Sequence, residues 1–464
     1  MQFAGQRTGM DLQPIGEPVN ELIILTPDIL PDPDAVLLTG ITPQQTLAEG
    51  LSEAQFLKLF YEEVVKPDTI FLGFNSIRFD DEFMRFLNYR NFYDAYEWQW
   101  KNGCSRWDML DVVRMTRALR PDGLKWPHSR DGKPTNRLEL LTKANKLPHS
   151  NAHSALGDVQ ATIEVAQLVL AKQPDLFNFL LKERNKKTIA SLVNKHEPFV
   201  YTSGHYASSY LHTSVVVHLA DHPHNEAALV YDLRFDPTPF LDMSVDQLLE
   251  AWRFTRDPEA LRLPLKTLKY NRCPAVAPLG VIKDEKTQTR LKINLQSIQK
   301  HRSLLKQHAV PFTKKILAAI ERLDQERQAA TIQTTPETDS LTVDERLYDG
   351  FISDLDKSYM QQLRASSPDK ISQLAGKFHD HRLQQLVPLY KARNYPKSLS
   401  HEERTYWDNF CQQKLLSGGS QSRSAGYFSR LQELAASALK REQHYLLEEL
   451  RLYGESILPV DVAD

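Results

Sequence analysis

The segment TIFLGF at residues 69–74 constrains the fold of this chain more than any other. It is a continuous apolar run, and such a run suits a strand covered on both faces. A strand of that kind lies inside a sheet with helices packed against it, and the neighbouring sequence supplies them. SEAQFLKLFYEEVV (52–65) repeats apolar residues at helical spacing behind Ser52, a good N-cap. Further helices are expected from Asp80 to about Tyr89 and over SRWDMLDVVRMTRA, from residue 105 to 118. From Ser154 to Gln173, Leu156, Val159, Ile163, Ala166 and Leu170 alternate spacings of three and four, the stripe of an amphipathic helix. Upstream, ELIILTP reads as a strand and PDILPDPD (27–34) as a Pro-rich loop. Strands alternating with helices predict an α/β unit, a mixed sheet with flanking helices, over residues 1–172.

The pattern then changes. Beyond the basic turn KERNKK (182–187) come short β-rich pieces, FVYTS, SVVVHLA and AALVYDL, separated by Gly, Pro and Asp. They predict a small β-barrel-like unit with helical insertions over 173–328. Residues 297–330 read as a helix and a linker. An all-α unit is expected over 329–464, with strong helical runs at 355–366, 402–415 and 424–452. Three units agree with the length, since 464 residues exceed what one core organises.

The formal charge of −2 excludes a uniformly basic nucleic-acid binder, but the charge is unevenly spread. Residues 1–80 hold 12 Asp/Glu against 4 Lys/Arg, whereas 260–325 hold 14 Lys/Arg against 4 Asp/Glu. An acidic end suits cation chemistry, and a basic stretch suits a phosphate backbone. Within it Lys266, Lys269, Arg272 and Arg290 are candidate substrate-binding residues, interleaved with Tyr270 and Phe312. Cys104, Cys273 and Cys411 are odd in number and far apart, as in a reducing cytoplasm. No stretch approaches a membrane span, the N-terminus does not read as a signal peptide, and nothing suggests an obligate dimer, so a cytoplasmic monomer is expected. The histidines of HLADHPH (218–224) read as loop residues rather than zinc ligands, because no cysteine lies near.

Three residues stand out chemically. Asp80 lies six residues past the apolar strand, where open α/β sheets bind ligands. His153 falls in the loop before the amphipathic helix, and Asp158 in that helix's first turn. Carboxylate oxygens suit hard divalent ions such as Mg²⁺ or Mn²⁺, and paired ions can stabilise both attacking and leaving oxygens of a phosphodiester. A histidine near neutrality suits proton abstraction from water.

Longer motifs surround these residues: LLTGITPQQ (37–45), GFNSIRFDDEF (73–83), YRNFYDAYEWQW (89–100), SRWDMLDVVR (105–114), HSNAHSALGD (149–158), LYDGFISDLD (347–356) and YKARNYP (390–396). In them the whole chain resembles the exodeoxyribonuclease I family, bacterial 3′-to-5′ single-strand DNA exonucleases of the DEDDh superfamily. The resemblance implies a ribonuclease H-like exonuclease domain, with Asp80 and Asp158 as metal ligands, His153 as general base, and two Mg²⁺ ions (Mn²⁺ possible). It places Gly40 and Ile41 beside the terminal nucleotide. It implies release of 5′-mononucleotides in repair and recombination, a channel for single-stranded DNA between the units, and docking of the C-terminal tail of single-strand DNA-binding protein. The family's opening D-x-E strand has no counterpart here, where the sequence begins at the equivalent of a later Gln-Phe, Gln2-Phe3. A misplaced gene start is the favoured expectation; the alternative is a truncated, non-catalytic protein that holds single-stranded DNA or its binding protein.

Overall fold

In the computed structural model the described residues are 1–148, 154–253, 257, 259–333, 342–437 and 440–458. The first unit has four strands: β1 (Gln2–Gly5), β2 (Val19–Leu22), β3 (Ile70–Gly73) and β4 (Ser105–Asp108). They form two separate ladders. β1 pairs antiparallel with β2, and β3 pairs parallel with β4, Ile70 opposite Ser105 and Gly73 opposite Asp108. Both ladders meet one aromatic cluster, with the Phe60 ring 5.6 Å from Phe3 and 6.3 Å from Phe71. Every residue of β3 is only half-buried. The expected burial on both faces is therefore not reached, because β4 is the one strand hydrogen-bonded to β3.

Helices pack around these ladders. Asp32 caps the helix Pro33–Thr39, accepting from the Asp34 and Ala35 amides, so the helix begins inside the segment expected to be a loop. Ser52 and Gln55 form a capping box at Glu53–Leu59, and the chain then widens into a π-turn over Phe60–Val64. The segment expected to be helical from residue 105 starts instead as strand β4. Pairing with β3 takes its first four residues, and Asp108 then caps the helix Met109–Leu119. Ala155–Lys172 is helical as expected, capped by Ser154.

Five further strands, β5 (Phe199–Thr202), β6 (Thr213–Asp221), β7 (Ala227–Asp232), β8 (Leu265–Lys269) and β9 (Ala275–Pro278), form an antiparallel sheet in the order β8-β7-β6-β5-β9. Alternation along the strands sorts their side chains into two cores. Val200, Val215, Val217, Leu229 and Tyr231 join the core that contains Val112 and Met115 of the helix Met109–Leu119. Phe199, Tyr201, Val216, Ala228 and Val230 turn the other way, onto Ile189 and Val193. The sheet thus shares one apolar core with the first unit. His218 belongs to β6 rather than to a loop, with Nε2 3.0 Å from Asp221.

The remainder is helical, including Asp354–Ala365, His381–Asn394 and His401–Leu416. The run expected over 424–452 is two helices, Arg423–Ala435 and Arg441–Ile457. Folding back lets Tyr427 and Leu431 of one share a core with Leu447 and Leu450 of the other, against Val36. A single straight helix could not bring both sets onto the same residue. No helix among the described residues is long and apolar enough to cross a membrane.

Candidate metal centre

β3 ends at Gly73, and the chain turns through Asn75 and a short 3₁₀ segment, Ser76–Arg78, into the helix Asp80–Arg90. Asn75 takes a left-handed conformation (φ 65°), which asparagine tolerates better than most residues. The buried Asp108, at the end of β4, holds the turn from below. One carboxylate oxygen accepts from the Asn75 amide at 2.8 Å and the Leu110 amide at 2.9 Å, and the other from the Ile77 amide at 3.2 Å. A single side chain therefore caps one helix and fixes the approach to another. Sequence reasoning missed it, because residues 105–118 read as one helix, which put Asp108 inside the helix instead of at its cap. Asp108→Ala leaves three amides without that acceptor and is expected to cost about 2 kcal/mol, read as a lowered urea midpoint.

Asp80 occupies the first turn of its helix and is open to solvent. Enough protein nevertheless surrounds it that desolvation pushes its carboxyl up to about 6, and the negative charges of Asp81 and Asp158 push it the same way. Asp158 stands in the first turn of Ala155–Lys172. The two carboxylates, 78 residues apart in sequence, are thus brought within electrostatic reach of one another. Asp81 is taken out of this set by ion pairs with Arg106 and Arg85. Carboxylates set in helix first turns suit a divalent cation, whose charge would offset theirs. His153 lies outside the described residues.

The raised value has a definite sign. Asp80 is protonated below about 6, so metal affinity is expected to fall as pH drops through that value, because bound metal must displace the proton. Without metal the fold gains stability over the same descent, since the native state takes up a proton before the unfolded chain does near 3.8. Mn²⁺ titrations between pH 5 and 8 (an interval of about 3 units around the Asp80 value) check this. Asp80→Asn should flatten that component of the profile.

The candidate substrate residues fall into three settings. Gly40 ends the helix Pro33–Thr39 with φ 75°, and Ile41 follows it. Lys266 is half-buried on β8, where desolvation lowers its ammonium, and Lys269 is exposed at the strand's end. Arg272 and Arg290 instead tie the units together. Arg272 donates to the Ile77 carbonyl at 2.7 Å and pairs with Glu82 at 3.5 Å. Arg290 donates to the Ala118 carbonyl at 2.9 Å and to Thr287 at 2.7 Å. Two arginines not singled out in sequence, Arg78 and Arg114, converge on the loop at Gly204, each within 3.2 Å of where a Cβ there would sit. With Lys266 they lower the affinity of His205 for its proton, after the desolvation of the ring itself. The clue to Arg78 was its place two residues before Asp80.

Two acidic residues in the first turns of helices of an α/β unit, with lysines on an antiparallel sheet beside it, are the arrangement expected of a phosphodiester hydrolase. Family models agree: "Exonuclease" matches residues 1–166, "Exonuclease I SH3-like domain" 184–322 and "Exonuclease I C-terminal domain" 341–457. Exodeoxyribonuclease I of Escherichia coli (strain K12) is 38% identical over 98% of this chain and 94% of its own length. The crystal structure of Escherichia coli exonuclease I with a dA16 oligonucleotide superposes with a TM-score of 0.89 at 37% identity, covering 98% of this chain and 95% of that one. An ExoI/SSB-Ct complex gives 0.88 at 36%, covering 99% and 95%. The chain belongs to the exonuclease I family, with a ribonuclease H-like exonuclease unit, an SH3-like unit and a helical C-terminal unit.

Proposed function

We propose that this protein degrades single-stranded DNA from the 3′ end and releases 5′-mononucleotides, in DNA repair and recombination. The placement of Asp80 and Asp158 in the first turns of two helices, in a chain of the exonuclease I family, supports the reading. It also favours catalysis over a role confined to holding DNA, since binding a phosphate backbone has no use for acidic side chains at the site. Asp80 and Asp158 hold divalent metal, Mg²⁺ or Mn²⁺, which as a pair of ions would activate water and offset charge on the phosphate. His153 takes the proton from the attacking water. Asp108 keeps the turn before Asp80 in place, so the carboxylate is positioned before substrate arrives.

Arg78 and Arg114 of the first unit and Lys266 and Lys269 of the second guide the phosphate backbone, Arg272 and Arg290 hold the two units together beneath it, and Gly40 and Ile41 lie beside the terminal nucleotide. The units are 1–172, 173–328 and 329–464, in a cytoplasmic monomer. Solved relatives bound to an oligonucleotide and to SSB-Ct support single-stranded DNA and the C-terminal tail of single-strand DNA-binding protein as partners.

The test is product analysis on uniformly labelled single-stranded DNA, matched duplex and RNA, with Mg²⁺ and with chelator. Mononucleotides released from the single DNA strand alone, with Mg²⁺ alone, support the reading. Internal cleavage, or equal release from RNA, defeats it.

A further inference from the structure

The five-stranded sheet brings together two histidines that lie 22 residues apart in sequence. His196 follows the helix Lys186–Val193, and His218 sits on β6. Their Nδ1 atoms face each other at 3.1 Å, with ring centroids 4.8 Å apart. His218 follows Val216 on the same sheet face and lies opposite Val230, both of them part of the core over Ile189 and Val193. A polar ring thus stands where that face otherwise carries apolar side chains. The ladder with β7 shifts register between His218 and Ala220, an irregularity of the kind that re-aims a side chain. His196 takes a left-handed conformation, φ 55°, in the turn that leads to β5.

The bonding partners fix the protons. A carboxylate only accepts, so the Nε2 of His218 donates to Asp221, 3.0 Å away. The Nδ1 of His218 is then a lone pair directed at the Nδ1 of His196. The His218 side chain is 5% exposed, and burial lowers its affinity for a second proton against the pull of Asp221. A neutral imidazole with a carboxylate on its far nitrogen is the arrangement that orients metal-ligating histidines. Two nitrogens on one tetrahedral zinc ion lie about 3.3 Å apart, so a shift of roughly 0.2 Å admits the ion. Glu197, next to His196, is taken by Arg302 at 2.6 Å. No group of three His, Cys, Asp or Glu side chains placed for a metal occurs among the described residues, so water fills the remaining positions.

We propose that His196 and His218 form a two-histidine site for a borderline transition-metal ion such as Zn²⁺, bound through Nδ1 of each ring, with Asp221 orienting His218. His196 is exposed, so water can take the proton from its Nδ1 and return one to its Nε2, and the ring stays neutral. The ion clips the turn after the helix Lys186–Val193 to β6. Its imidazole donors set the site apart from the carboxylates Asp80 and Asp158, which suit harder ions.

The experiment titrates the full chain with Zn²⁺ by calorimetry in excess Mg²⁺, which engages carboxylates and leaves imidazoles free. The unaltered protein should take up zinc in a step that His196→Ala and His218→Gln each weaken about tenfold or more, and Asp221→Asn about tenfold. Zn²⁺ should raise the melting temperature of the unaltered protein and leave that of His196→Ala where it was. His196 is exposed, and an unchanged melting curve without zinc confirms that its variant folds. His224→Ala, in the loop between β6 and β7, should leave the zinc step intact. Zinc uptake that His196→Ala does not weaken overturns the site, as does an unaltered protein that takes up no zinc in Mg²⁺. A step lost in His224→Ala instead would place the ion on loop imidazoles and overturn it as well.

Discussion

Asp158→Asn should lower Mg²⁺-dependent strand hydrolysis by on the order of 10³-fold, with little change in melting temperature, and Asp80→Asn should do the same. The substitution keeps the shape of the side chain and removes its charge. Neither residue is buried in the apolar core, so stability has little to lose. In the metal-free protein, Asp80→Asn removes a carboxylate already destabilised by desolvation and by its acidic neighbours. The variant should therefore be as stable as the parent, or slightly more so, at neutral pH. Single-strand binding in chelator should persist in both variants, because Arg78, Arg114 and Lys266 are untouched. Matched activity and melting curves check the claim; a variant that unfolds, or that keeps full activity, contradicts it.

The largest stability effect is expected far from this centre. Asp28 of the first unit and Asp344, Arg393 and Lys414 of the helical unit form a buried tetrad with two charges of each sign. Arg393 bonds Asp28 at 2.7 Å and Asp344 at 2.6 Å, and Lys414 bonds Asp28 at 2.6 Å. Thr26 donates to the remaining oxygen of Asp28 at 2.7 Å. Burial alone would raise both carboxyls, but the two cations overrule it and hold them below their ordinary 3.8. Arg393→Met leaves two buried carboxylates facing one lysine and should cost roughly 3–5 kcal/mol in urea unfolding. Because both carboxyls are depressed, their contribution is complete above the unfolded value of 3.8 and fades as pH falls below it. Arg393→Met should therefore remove part of the parent's acid sensitivity. Asp28→Asn paired with Lys414→Met, which removes one charge of each sign, should cost less than the two single changes added together.

Local pattern revealed much of this, and the misses share a cause. The amphipathic helix after Ser154, the helix from Asp80 and the apolar strand before it were all legible because their periodicity is local. β4 was hidden inside a helical-looking run, since its pairing partner lies 35 residues upstream. The break near residue 437 depends on two helices meeting Val36, which no window around 437 contains. Asp80 and Asp158 could be picked out by position and motif. Asp108 could not, because its acceptor role is set by amides at Asn75 and Ile77. Counting charges found the basic stretch but could not tell Lys269, which is exposed, from Arg272 and Arg290, which hold carbonyls between units.

The central claim is that Asp80 and Asp158 belong to the metal centre of a 3′-to-5′ single-strand exonuclease. Its most direct test is 3′-end shortening of 5′-labelled single-stranded DNA, with Mg²⁺ and with chelator. The account predicts Mg²⁺-dependent shortening that chelator and Asp158→Asn each abolish. Binding of the strand with no shortening in Mg²⁺ would contradict the claim.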